Sequence, residues 1–246
     1  MAPRRTRIIY VRTYLYDDAQ PMTDAAPAAE ILDRRKRRGA QSRQRVLEHA
    51  AAIASVDGLE GLTIGRLAAE AGVAKGNIQV LFGDKQSLQL ATVDFVRAVH
   101  VAAIVEPALA EASPVARLRS MVERWFDFVE ARELPGGCFM NAVASEFRAR
   151  PGAVRDRVAA HRADKRRRYV EAIREGQAAG EIDADANPGQ LTFELLAFQA
   201  LANVAVTIGD DAEFEQARAS SLALLDGVTA RRSGQKAARP SGQTGA

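Results

Sequence analysis

The chain has 246 residues, 47% hydrophobic and 26% charged, with a formal net charge of +3 and a single cysteine, Cys138. That balance excludes a polycation and a chain too polar to fold, and one cysteine excludes a disulfide within the chain. Aromatic residues are only 6% and alanine is abundant, which favours helix over sheet in one large domain or two modest ones.

In chain order, residues 1–33 do not read as part of a domain. A short strand-like run at 8–16 precedes an Ala/Pro-rich stretch. We expect a disordered extension over 1–33, and translation from Met22, because nothing before it fits the downstream pattern. An intact mass that includes residues 2–21 would overturn that start site. The run Ile8-Ile9-Tyr10-Val11 is too short and too interrupted by Arg for a signal sequence. No unbroken apolar run approaches the ~20 residues of a membrane span, so a cytoplasmic location and no membrane partner are expected.

Arg34, Arg35, Lys36, Arg37, Arg38, Arg43 and Arg45 then fall close together with no acid among them, a block that suits an anionic partner. From Gln41 to about Leu225 the pattern is helical. Val46, Leu47, Ala50, Ile53 and Ala54 form one apolar stripe that ends near Gly58. A second stripe, Leu88, Ala91, Phe95 and Val99, is expected to stop by Pro107. Ser113-Pro114 opens a helix with Val115, Leu118, Val122, Trp125 and Val129, since a hydroxyl caps and Pro fits the first helical position. Pro135-Gly136-Gly137 breaks the chain, and a short helix with Phe139, Val143 and Phe147 ends before Pro151-Gly152. A long charged helix is expected over 153–177, then one from Asn187-Pro188 and one after Asp210-Asp211. The tail over 230–246 is basic and Gly/Ser-containing, and is expected to be disordered.

The stretch LTIGRLAAEAGVAKGNIQVLF, residues 62–82, carries the sharpest signal. Thr63 can cap a helix whose inner face is Ile64, Leu67, Ala68 and Ala71. Gly72 stands where a helix end favours a left-handed residue. A second short helix begins near Ala74 with Ile78 facing inward. Two short helices joined by a tight Gly turn make a helix-turn-helix, whose second helix enters the major groove of DNA.

This stretch resembles the TetR family of bacterial regulators. The family pattern runs T-I-x-x-(I/L)-A-x-x-A-G-V-(S/A)-K-G-x-(I/L)-Y-x-x-F-x-x-K-x-x-L. The chain matches it at Thr63, Ile64, Leu67, Ala68, Ala71, Gly72, Val73, Lys75, Gly76, Ile78, Phe82, Lys85 and Leu88. The close match covers about 41–90. A later stretch, Pro135-Gly-Gly-Cys-Phe-Met with Ser145-Glu146-Phe147 behind it, is similar to one subgroup of the family.

The resemblance implies an all-α fold. An N-terminal three-helix helix-turn-helix domain, 34–95, would join a C-terminal helical bundle, 96–229, for ligand binding and dimerisation. It implies that Thr63 anchors the first motif helix near a phosphate, that Lys75, Gly76, Asn77 and Gln79 face the groove, and that Lys85 pairs with a phosphate. Arg43 and the rest of the basic block would add backbone contacts. Asn77 and Gln79 suit adenine, whose edge offers one donor and one acceptor. Three positions depart from the pattern: Gln79 stands where Tyr is usual, Leu81 where His is frequent, and Ala74 where Ser often caps the second helix.

By the same resemblance, two copies would pair through the last two long helices, 188–208 and 212–225. The chain would regulate transcription as a homodimer on double-stranded operator DNA. The middle helices hold Met121, Trp125, Phe128, Cys138, Phe139 and Phe147, side chains suited to an apolar ligand. A small-molecule effector bound there would release the DNA, the mode of a repressor. No cofactor is expected. An enzyme lacks support: His49, His100 and His161 stand in no H-E-x-x-H spacing, and there is no phosphate loop, G-x-S-x-G or Cys pair. No catalytic or metal-ligating residue is assigned.

Overall fold

The computed structural model describes the backbone of residues 28–237 and the side chains of 36–229. The strand-like run at 8–16, the start at Met22, most of the 1–33 extension and the end of the tail, 238–246, lie outside the described residues. The described residues are helices joined by short turns, with no strand among them.

Helix α1, Ala28–Asp57, starts well before the apolar stripe at Val46. The sequence expectation of helix only from Gln41 was too short. The residues between are mostly Arg, Lys, Ala, Glu and Leu, strong helix formers that need no buried face to stay helical. Helices α2 (Ile64–Ala71) and α3 (Lys75–Phe82) follow. Helix α4, Lys85–His100, continues through a π-helical turn, Val101–Val105, into the short α5, Glu106–Leu109. Pro107 was expected to stop this run. It sits instead in the first turn of α5, just after the π turn, where a missing backbone N–H is tolerated.

Helix α6, Pro114–Glu130, starts as expected, with Ser113 Oγ accepting from the Ala116 N–H at 3.2 Å. Helix α7 is Phe139–Phe147 and α8 is Ala153–Ala178. Helix α9, Pro188–Ile208, is capped by Asn187, whose Oδ1 accepts from the Gly189 and Gln190 N–H groups at 2.9 and 3.1 Å. Helix α10, Asp211–Ala237, runs past residue 230, where the tail was expected to begin.

The chain divides into two compact units. The first holds residues up to 103 together with 129–161, and the second holds 104–128 together with the chain from 162 onward. In the first, Val46, Ala50, Leu67, Ala71, Ile78 and Leu88 meet in one core cluster. A second cluster joins Ala51, Ala54, Leu59, Val93 and Val96 to Phe139, Val143 and Phe147. In the second unit, Phe126 meets Trp125 and Phe214 edge-on, with ring centroids 5.1 and 5.7 Å apart.

By length and composition alone, the helical stretches Lys85–Leu109 and Pro188–Ile208 are apolar enough to cross a membrane. Neither is an unbroken apolar run, because Asp94, Arg97 and His100 interrupt the first and Glu194 and Gln199 the second. In each, 44% of the most apolar window is buried within the protein, and helices that line a protein core pass the same test.

Candidate nucleic-acid interface

The helix-turn-helix is built from local signals. Thr63 Oγ1 accepts from the Arg66 N–H at 3.3 Å and so caps α2. Gly72 closes α2 in the left-handed region, φ 64° and ψ 39°, a conformation that a residue with Cβ adopts only at a cost. Its neighbour Val73 donates to the Ala68 carbonyl at 3.0 Å. The expected absence of a side-chain cap on α3 holds: Ala74 makes none. A Cβ on Gly65 would make only an ordinary contact with the Lys75 side chain, at 3.6 Å, so the approach of the two helices does not require glycine there.

Helix α3 divides cleanly by face. Ile78 and Phe82 are buried, while Lys75, Gly76, Asn77, Gln79 and Val80 are exposed. Val80, 87% exposed, is a residue that the sequence reading passed over. Its signal was an apolar residue off the inward register of Ile78 and Phe82. Nothing lies within 4 Å of a Cβ placed on Gly76, so no packing inside the protein requires glycine there.

Two expected phosphate contacts have partners within the protein. Lys85 Nζ donates to the Glu60 carbonyl at 3.0 Å and to Glu60 Oε2 at 3.2 Å. Hydrogen bonds from Gln89 and from Lys85 hold the Glu60 carboxyl below the usual carboxylate range. Arg43 lays its guanidinium over the Phe82 ring, 4.6 Å from the centroid. Its Nη1 is buried with no hydrogen-bond partner among the described residues. Lys36, Arg37, Arg38 and Arg45 are exposed along α1.

The turn between α1 and α2 is gripped from a distant part of the chain. The Glu146 carboxylate on α7 accepts from the Leu59 N–H at 2.8 Å and the Glu60 N–H at 2.9 Å. Gly58, φ +75°, is needed here twice over: a Cβ would also lie 2.6 Å from Glu146 Oε2. Next to it, the loop after α6 presses against α1. The Gly136 N–H donates to Ser55 Oγ at 3.1 Å, and a Cβ on Gly136 would fall 1.8 Å from the Ser55 carbonyl oxygen. Farther along α4, Asp94 pairs with Arg157 and lies 3.0 Å from His161 Nε2. Burial alone would raise the Asp94 carboxyl, but hydrogen bonds from Arg157 and His161 prevail and lower it.

Glu133, in the same loop, is buried, and Oε2 has no partner among the described residues. Burial pushes its carboxyl up. The void beside it, lined by Glu48, Phe95, Val96, Val99 and Leu134, holds only about 10 Å³, scarcely one water.

The six residues expected at an effector pocket fall in different units. Cys138, Phe139 and Phe147 belong to the first, where Phe139 and Phe147 pack in the core shared with α1 and α4. Met121, Trp125 and Phe128 lie buried on α6 in the second. There Trp125 neighbours a polar network that the sequence did not signal. Lys165 Nζ donates to Gln199 Oε1 at 2.7 Å, and Gln199 Nε2 donates to the Tyr169 hydroxyl at 3.1 Å. The Lys165 ammonium also stands 5.3 Å from the Trp125 ring centroid.

Residues 114–221 match the family model described as the tetracyclin repressor-like C-terminal domain. That segment lies downstream of the helix-turn-helix, so the two halves of the chain carry separate evidence. The chain is similar to the TetR family of transcriptional regulators. A TetR transcriptional regulator from Chloroflexus aurantiacus is 27% identical, with a TM-score of 0.70 over 78% of this chain and 96% of that one. A TetR-family regulator from Cytophaga hutchinsonii is 20% identical, with a TM-score of 0.68 over 78% and 96%. AibR, solved in complex with isovaleryl coenzyme A and operator DNA, is 17% identical, with a TM-score of 0.59 over 76% and 98%. No curated protein matches the chain. The described residues thus have the all-α fold of these regulators.

Proposed function

We propose that the regulator is a homodimeric repressor that a small-molecule effector releases from its operator. Residues 34–95 act as the DNA-binding domain, and 96–229 carry sensing and dimerisation. The division of α3 carries this reading. Ile78 and Phe82 anchor the helix inward, which leaves Lys75, Gly76, Asn77, Gln79 and Val80 outward as one surface. Asn77 and Gln79 offer paired donors and acceptors to adenine, and Val80 offers an apolar contact to a thymine methyl. Gly76 lets the helix backbone approach the duplex. Lys75, Thr63 and the exposed cations of α1 meet phosphates, which set position and affinity. Lys85 reaches a phosphate by exchanging one of its bonds to Glu60, and Arg43 acts through Phe82, which seats α3.

Dimerisation is read from α9. Phe193, Leu201, Val204 and Ile208 are exposed and recur at helical spacing, an apolar stripe that water solvates poorly. Two α9–α10 pairs placed face to face would cover it. Two motifs could then meet half-sites roughly 34–36 Å apart. An effector changes occupancy only through different affinity for the DNA-bound and free states.

Genome-wide footprinting, followed by titration on the recovered sites, tests the reading. Lys75→Ala weakens binding to every sequence and lowers the salt slope by about 1, whereas Asn77→Ala or Gln79→Ala changes base preference, by about 1–3 kcal/mol at the affected position. Affinity that does not fall between 50 and 200 mM salt, a range over which phosphate contacts weaken steeply, would refute it.

A further inference from the structure

Lys85 opens α4, and the anion it meets inside the protein is fixed rather than free to swing. Glu60 is held at three points. Its backbone N–H donates to Glu146 Oε1 at 2.9 Å. Its Oε1 accepts from Gln89 Nε2 at 3.0 Å, and its Oε2 from Lys85 Nζ at 3.2 Å. Gln89 is itself only 5% exposed, and the same amide nitrogen donates to the Leu59 carbonyl at 3.0 Å. All of these groups lie in the first unit. An ordinary surface ion pair contributes little, because two long side chains must give up their freedom to form it. Here one partner has already lost that freedom, to Gln89 and to the turn.

The ammonium is nevertheless open to solvent. The Lys85 side chain is 45% exposed and that of Glu60 is 47% exposed. An ammonium has three N–H groups, and Glu60 takes two, one at its carbonyl and one at its carboxylate. The charge that Lys85 would offer a phosphate is thus matched from within. A phosphate brought to Lys85 meets the Glu60 carboxylate as well, and like charges repel.

We infer that Glu60 restrains Lys85 as an internal stand-in for a DNA phosphate, and so holds the affinity for DNA below what the cations of the motif would give. This rests on the reading that Lys85 meets a phosphate. Binding at this point is an exchange of one anion for another. Nζ gives up Oε2, a phosphate oxygen takes its place, and the bond to the Glu60 carbonyl stays. The carboxylate, kept in position by Gln89, remains beside the phosphate and lowers the gain. Phosphate contacts carry no base information, so the restraint weakens binding to every sequence alike and leaves base preference to α3.

The test is Glu60→Gln in the full-length protein. The amide keeps the length of the side chain, an acceptor for Gln89 and both backbone groups, and removes the charge. Fluorescence anisotropy follows two labelled duplexes, one carrying a footprinted site and one of arbitrary sequence, at about 50 and about 200 mM salt. The expected result is binding about three- to tenfold tighter on both duplexes. The gain shrinks at the higher salt, where exposed charges are screened. With Lys85→Met in place, the gain from Glu60→Gln falls to about twofold or less, because no ammonium is left to release. A loosened turn would act in the opposite sense and weaken binding, so the sign separates charge from structure. Circular dichroism establishes that each variant is folded. Unchanged or weaker binding by Glu60→Gln overturns the inference. A gain undiminished by Lys85→Met also overturns it, since Glu60 would then be a repelling charge that does not act through Lys85. Lys75→Ala separates this from the wider reading. If Lys75→Ala weakens binding while Glu60→Gln fails to tighten it, DNA binding through α3 stands and the restraint falls. If affinity does not fall with salt even in the unaltered protein, the wider reading fails and the restraint with it.

Discussion

Glu146 is where a single substitution should separate a local from a long-range account of the DNA-binding motif. Its two carboxylate oxygens accept from consecutive backbone N–H groups, Leu59 and Glu60, at 2.8 and 2.9 Å. These lie in the turn that leads from α1 into α2. A hydrogen bond to a charged group contributes about 1.5–3 kcal/mol. Glu146→Gln keeps the shape, turns one acceptor into a donor facing an N–H, and makes the other acceptor neutral. The Glu60 bond is solvent-accessible, so water can replace part of it. The expected loss is about 2–3 kcal/mol, a fall in Tm of roughly 5–10 °C for a chain of this size. Thermal melts by circular dichroism measure it. DNA affinity at 10 °C, where the variant remains folded, should also fall, since the turn sets the entry of α2 and so the seat of α3. A Tm within 1 °C of the unaltered protein would refute the reasoning and make the carboxylate a surface contact only.

Gly136→Ala should destabilise by about 3 kcal/mol or more in urea unfolding, because its Cβ would fall 1.8 Å from the Ser55 carbonyl oxygen and the contact is backbone, which cannot swing away. Glu133→Gln should raise Tm at pH 7, with the difference disappearing near pH 4. The raised carboxyl of Glu133 favours the folded state below its unfolded value, and that contribution is lost as pH rises through the folded one. Asp94→Asn should show the opposite trend. The lowered carboxyl of Asp94 stabilises above its unfolded value, so the variant is less stable at pH 6–7 and the gap narrows as acid protonates Asp94. Val204→Glu, on the exposed stripe of α9, should give a monomer by light scattering at micromolar concentration with the helix content retained; a persistent dimer would place the interface elsewhere.

The helix-turn-helix was legible because its determinants are local. Thr63 caps, Gly72 takes the left-handed turn, and the inward spacing of Leu67, Ala71 and Ile78 follows from helix geometry, all within one short stretch. The expected breaks at Ser113-Pro114, Pro135-Gly136-Gly137 and Asn187-Pro188 appear for the same reason. Pro107 was misread because a π turn earlier in the helix changes the register that a proline meets. The helical span of the basic block was also underestimated, since periodicity registers buried faces and this segment needs none.

The sequence by itself determined the all-α fold, the helix-turn-helix and, Val80 excepted, the side chains that α3 turns outward, because each depends on neighbours a few residues away. Only the tertiary structure decided what those residues do for one another. It showed that Lys85 is held by Glu60, that Arg43 covers Phe82, and that Glu146 closes a turn 86 residues earlier in the chain. It also gathered Trp125, Lys165 and Gln199 from three helices. A hydrogen bond between distant segments leaves no period in the sequence. It depends on where packing brings two polar atoms together, and that is fixed only when the cores of the helices have closed.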